Sequence, residues 1–149
     1  LRWAAVPAAG SQFRSRDLFP QAAGALAVGQ PDALAERIER SRIPEIPASR
    51  VAYVDGYGNL KTTINWQIEP APLGARLRVA IGSAEQEAVV SDGSFAVEAG
   101  QLAFAPGSSG WSTADGVETR WTELFLRGGN AWDAFGRPPI GAHITVQTL

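Results

Sequence analysis

The sequence predicts a mainly β protein with two N-terminal helices, its body a small antiparallel β-barrel or sandwich. Beyond residue 50, apolar and polar residues alternate in short runs set apart by glycine and proline. Before residue 41 the apolar residues recur at helical spacing instead. Between the two regions lie Pro44 and Pro47, which neither regular element tolerates for long.

In chain order, Asp17 is placed to cap a helix carrying Leu18, Phe19, Ala22, Ala23, Leu26 and Ala27, with Pro20 tolerated in its first turn and Gly29 as its stop. Pro31 and Asp32 open a second helix, on which Leu34, Ala35 and Ile38 form an apolar stripe opposite Glu36, Arg37, Glu39 and Arg40. Residues 41–49 read as a linker between a terminal helical part, 1–44, and a β domain, 45–149. Strands are expected at 50–55, 60–65, 76–81, 85–90, 101–105, 122–127 and 142–148, with a short helix at 131–135. Two helices with no strands to pack upon are too little for a core, so residues 1–44 read as the end of something larger.

Composition narrows the function classes. A formal charge of -2 and a single lysine, Lys61, leave no basic stripe for a nucleic-acid backbone. The chain has no cysteine, which excludes disulfides and thiolate metal sites. Its one histidine, His143, alternates with Ile144 on the last strand and reads as a surface residue, so no metal site is expected. No apolar run approaches the length of about eighteen residues that a membrane helix needs, and a cytoplasmic location is expected. The chain opens on Leu1 and contains no methionine, from which a fragment or processed product is expected.

The chemistry concentrates at residues 53–65. Val51, Tyr53 and Asp55 alternate with Ala52 and Val54, Gly56 and Gly58 punctuate, and Leu60, Thr62 and Ile64 resume the alternation. The turn brings Asp55, Tyr57 and Asn59 into one short loop. An acid, a ring and an amide complement a ligand with an ammonium group and a flat polar ring: aspartate accepts from the cation, tyrosine stacks, and asparagine donates and accepts. The spacing alone also describes an ordinary hairpin with polar turn residues.

Four segments together resemble the S-adenosyl-L-methionine (SAM) hydroxide adenosyltransferases, or SAM hydrolases, and the related SAM-dependent fluorinases and chlorinases. Phe13-Arg14-Ser15-Arg16-Asp17-Leu18-Phe19 looks like the entry to the last helices of that family's N-terminal domain. Val54-Asp55-Gly56-Tyr57-Gly58-Asn59-Leu60 with Thr63-Ile64 is similar to its Ile-Asp-x-Phe-Gly-Asn-x-x-Thr-Asn-Ile element. Gly100-Gln101-Leu102 followed by Ser108-Ser109-Gly110-Trp111 resembles its Gly-Glu-Leu and Asn-Ser-x-Gly-Tyr segment, and Leu126-Arg127-Gly128-Gly129-Asn130-Ala131 its turn before the last helix and strand. The segments keep the family's order across most of the chain.

The resemblance implies that residues 1–44 are the terminal helices of an otherwise absent α/β domain and that 45–149 form the C-terminal β domain. It implies SAM as substrate with no further cofactor, and a homotrimer, or an N-terminal domain supplied by another chain. Asp55 would hold the methionine ammonium, Tyr57 would lie against the adenine, and Asn59 would bond the adenine edge. Phe95 would be a second aromatic on the base, and Ser108 would meet the methionine end. The backbone from Arg127 through Asn130 to Ala131 would read the adenine amino group.

Departures from the family bear on catalysis. Arg14 stands where hydrolases have the histidine that helps activate water, and a guanidinium keeps its proton at any workable pH. Ser15 resembles the halogenating relatives, yet Ser109 replaces their arginine after the methionine-contacting serine. Ser15 and Arg16 remain as candidate catalytic positions, and the 149-residue chain alone is expected to be inactive. A SAM-dependent halogenase relative, a non-catalytic adenine-nucleoside binder and an oligomerisation module are the alternatives. Residues 112–120 are additional to the family pattern, and Asp115-Gly116 between Trp111 and Trp121 marks a hairpin that either covers the ligand or faces solvent with its tryptophans packed together.

Overall fold

A computed structural model describes residues 1–67, 71–93, 96–112 and 114–149. The chain forms two compact units, Leu1–Glu45 and Ile46–Leu149.

The first unit contains β1 (Arg2–Ala4), α1 (Arg14–Asp17), α2 (Phe19–Ala27) and β2 (Leu34–Arg37). The helix expected from Pro31 onward is instead a 3-10 turn, Pro31–Ala33, followed by β2. Its backbone groups are claimed by β1: Arg2 lies opposite Arg37, Ala5 N donates to Ala33 O at 2.8 Å and Ile38 N to Leu1 O at 3.0 Å. A partner strand overrode a helix-compatible pattern. Asp17 does not cap α2 either; Leu18 holds that position without a side-chain bond, while the Asp17 carboxylate accepts from Ser11 and Arg16. Among the described hydrophobic residues of this unit only Ala33 is buried.

The second unit is built on one seven-stranded sheet comprising β3 (Val51–Val54), β4 (Leu60–Asn65), β5 (Arg76–Ile81), β6 (Ala84–Val90), β7 (Leu102–Ser112), β8 (Glu118–Leu126) and β9 (Ile144–Thr148), in the order β3-β4-β8-β7-β6-β5-β9. All neighbours are antiparallel except β6 and β7, which run parallel with Ala88 opposite Leu102 and Val90 opposite Phe104. The mainly β body is as expected, with one parallel pair where the chain crosses over between these two strands rather than turning back in a hairpin. The sheet curls into a half-barrel, and its edge strands are stitched at one corner: Val51 N donates to Ala142 O at 2.9 Å, Gly141 N to Val51 O at 2.8 Å and Ile144 N to Ser49 O at 2.8 Å. His143 sits at this seam, bridged through its backbone to Arg50.

Leu60, Leu77, Val79, Ile81, Val90, Phe104, Leu124 and Ile144 fill the concave side. Ala103 and Ala105, one residue out of phase, join Val97, Val89 and Phe125 in a second cluster. The centre of β7 is thus covered on both faces, which is why Leu102, Ala103, Phe104 and Ala105 form an unbroken apolar run. β7 runs on past Ala105 and β8 begins before Thr122, the bounds expected from the sequence, through a register shift after which pairing resumes at Gly110 opposite Arg120. At the tip of this hairpin Trp111 and Trp121 pack edge to face, centroids 5.7 Å apart. The short helix α3 (Ala131–Ala134) follows β8.

Candidate functional site

β3 ends at Val54, and the chain turns over residues 55–59 before β4 begins at Leu60. Asp55 organises that turn. Its Oδ1 accepts the backbone N–H of Tyr57 at 2.9 Å and of Asn59 at 3.0 Å, and its Oδ2 accepts the Asn59 side-chain amide at 2.9 Å. Gly58 N donates to Asp55 O at 3.0 Å and Asp55 N to Asn59 O at 3.1 Å, closing the loop through the backbone as well. Asp55 and Asn59 therefore face each other, and Asn59 is buried.

Gly58 connects this turn to a second one more than sixty residues away. It adopts φ +81, a conformation that favours glycine, and a Cβ there would lie 2.2 Å from the Asn130 side chain. Asn130 rests in that space as the N-cap of α3, its Oδ1 accepting from Asp133 N at 2.9 Å. Trp132 N donates to Gly58 O at 2.9 Å, and Ala131 is fully buried beneath. Asp55, Asn59, Asn130 and Ala131 thus belong to one assembly of two interlocked turns.

Beside it stand two charged residues that motif reading missed. Lys61 lies directly across from Glu123 on β8, and their ion pair measures 2.5 Å. Its ammonium is 3.8 Å from Asp55 Oδ2. Burial pushes the Asp55 carboxyl up, but the Asn59 amide, the Asn59 and Tyr57 backbone N–H groups and the Lys61 charge outweigh it and hold the group below its ordinary range. A lone acid, Glu123, in a strand with Trp121, Leu124, Phe125 and Leu126, together with the chain's single lysine beside the turn motif, was the signal available in the sequence.

Of the other expected site residues in the second unit, Tyr57, Ser108 and Arg127 lie apart from this assembly or at its margin. Tyr57 projects outward, 83% exposed. Arg127 anchors the loop after β6 at the end of β8, with its guanidinium donating to Val97 O and its backbone N to Gln101 O. Ser108 lies beyond the register shift of β7 and lines a separate shallow concavity of about 170 Å³ with Gly110, Trp111, Ser112 and residues 118–120. Phe95 falls outside the described residues. Ser15 and Arg16 are exposed on α1 of the first unit, where Arg16 pairs with Asp17 and lies 4.7 Å over the Phe13 ring. Arg14 donates to the carbonyls of Pro7 and Ala8. Among the described residues no group of three or more acids and histidines is placed to hold a metal ion, and no helix is long and apolar enough to cross a membrane.

No protein-family model and no curated protein matches this sequence. Solved structures do match it in three dimensions. An uncharacterized conserved protein from Thermotoga maritima superposes with a TM-score of 0.67 at 22% identity, over 93% of this chain and 54% of its own length. A conserved hypothetical protein from Thermus thermophilus superposes with a TM-score of 0.54 at 25% identity, over 91% of this chain and 52% of its own. The fold is shared. The chain spans about half the length of these proteins.

Proposed function

We propose that residues 46–149 form the ligand-binding β domain of a SAM-cleaving enzyme, which displaces L-methionine from the ribose C5' of SAM. With water as nucleophile, the C5'–S bond breaks as a C5'–O bond forms; adenosine and methionine leave and one proton is released. The observation that carries this reading is the interlocking of the Asp55 and Asn130 turns through Gly58, two segments that both belong to the resemblance and are distant in sequence. Asp55 Oδ2 accepts one hydrogen bond, from Asn59, and keeps a second lone pair for a ligand ammonium. Tyr57, exposed beside the turn, supplies a face on which an adenine can stack, a contact worth about 1 to 3 kcal/mol for nucleobases on aromatic rings. The remaining walls of the pocket and the groups that activate water come, in this reading, from an α/β domain of a neighbouring subunit in a trimer.

A second reading has an observation of its own. Asp55 already satisfies three donors within the turn, which suits a purely architectural aspartate in a non-catalytic nucleoside-binding or oligomerisation module. Calorimetry of the 149-residue chain with SAM and with adenosine separates either binding role from a purely structural one. Heat with both ligands and no release of adenosine from SAM is the expected result, since Arg14 cannot serve as the base. Absence of heat with either ligand would reject the binding reading, and steady adenosine production by this chain alone would reject the assignment of water activation to other residues.

A further inference from the structure

The Lys61–Glu123 pair is left unused by the reading above, and its placement has a chemical meaning. Asp55, Lys61 and Glu123 side chains are 21, 20 and 11% exposed, so the cluster is reachable from solvent but not surrounded by it. Two carboxylates enclose one ammonium, leaving a net charge of -1. Lys61 is held by Glu123 and stops 3.8 Å short of Asp55 Oδ2, beyond hydrogen-bonding distance. Of its three N–H groups, Glu123 uses one. An acceptor with a spare lone pair and a cation with spare donors therefore sit side by side, 3.8 Å apart.

That separation matches the head of an α-amino acid. Standard bond lengths and angles put the ammonium nitrogen and the nearer carboxylate oxygen of such a head about 2.7 to 3.6 Å apart. Charge-assisted bonds of about 2.8 Å from each to the protein close a four-membered array with the Asp55–Lys61 gap. Resting on the function proposed above, we infer that Lys61, positioned by Glu123, binds the ligand's carboxylate while Asp55 binds its ammonium, so that the pair selects a zwitterionic amino-acid head. The leftover negative charge favours a head that carries a further cation nearby, as a sulfonium does, over a neutral thioether.

The test is calorimetry with three probes: SAM, decarboxylated SAM, which keeps the ammonium and sulfonium but lacks the carboxylate, and 5'-methylthioadenosine, which lacks the amino-acid head. Lys61→Met is expected to weaken SAM roughly 10- to 100-fold, the range for losing a hydrogen bond to a charged group. Decarboxylated SAM and methylthioadenosine should not weaken, the latter also reporting that the variant is folded. The wild-type chain gives an independent measurement, since it should bind SAM at least about tenfold more tightly than decarboxylated SAM. Equal wild-type affinities, an unchanged SAM affinity in Lys61→Met, or an equal loss for all three probes would overturn the role of Lys61 while leaving the proposed function standing. A wild-type chain that binds none of the probes would instead sink that function and this inference with it.

Discussion

Replacing Gly58 by alanine tests whether the two turns depend on each other. Three penalties combine. At φ +81 an L-residue pays about 1 to 2 kcal/mol for the left-handed backbone. The new Cβ also lies 2.2 Å from Asn130, closer than any real contact, so Asn130 must move. Overpacking of this kind costs about 1 to 3 kcal/mol, and displacing Asn130 removes the α3 cap, worth about 1 kcal/mol. The sum is roughly 2 to 5 kcal/mol if the costs partly overlap. Urea unfolding with a constant slope measures it, and in a chain of this size each kcal/mol lowers Tm by about 2 to 4 °C. Gly56→Ala is the internal control, because a Cβ there meets nothing within 4 Å and the backbone is not left-handed; it should stay within about 0.5 kcal/mol of the parent. The double variant Gly58→Ala with Asn130→Gly should recover the steric part and fall short of additivity by about 1 kcal/mol or more. Equal stabilities for the Gly56 and Gly58 variants, or strict additivity in the double variant, would refute the close approach on which the site rests.

The depressed Asp55 carboxyl makes stability depend on acid. A group whose folded pKa lies below its unfolded value near 3.9 stabilises the fold fully above that value and loses the contribution as pH falls through the folded pKa. Denaturation midpoints followed from pH 6 to about pH 2 should fall below about pH 4, and Asp55→Asn should flatten part of that fall; an identical acid profile in the variant would remove Asp55 from the account. Leu124, fully buried where β8 crosses the concave face, should cost about 2 to 5 kcal/mol when cut to alanine, with near-UV circular dichroism reporting loosened packing around Phe104 and Trp66. A cost under about 1 kcal/mol would mean that the concave core collapses around the gap.

Much of the β domain is legible in the residues themselves. β4 and β5 run over Leu60–Asn65 and Arg76–Ile81, the spans that alternation alone predicts, because one face of each strand is buried and the period-2 code is strong. The short helix after Asn130 is equally legible, since an asparagine cap before Ala131 is a local signal. Local signals fail where a distant partner decides. Leu34, Ala35 and Ile38 fit a helical stripe, yet β1 recruits residues 34–37 as a strand from the far end of the unit. Pro106 looks like a strand stop, but β8 keeps it paired opposite Thr122 and pairs β7 again from Gly110 onward.

The site divides along the same line. Residue identity and spacing alone settle that an acid, two turn-forming glycines and an amide occur within five positions, because such a turn is assembled from neighbours in the chain. That Asn130 fills the space above Gly58, and that Glu123 rather than Asp55 takes the lysine, depends on which strands lie side by side and in what register. Pairing partners tens of residues apart are chosen by the burial of the whole sheet, and no local stretch of chain carries that information.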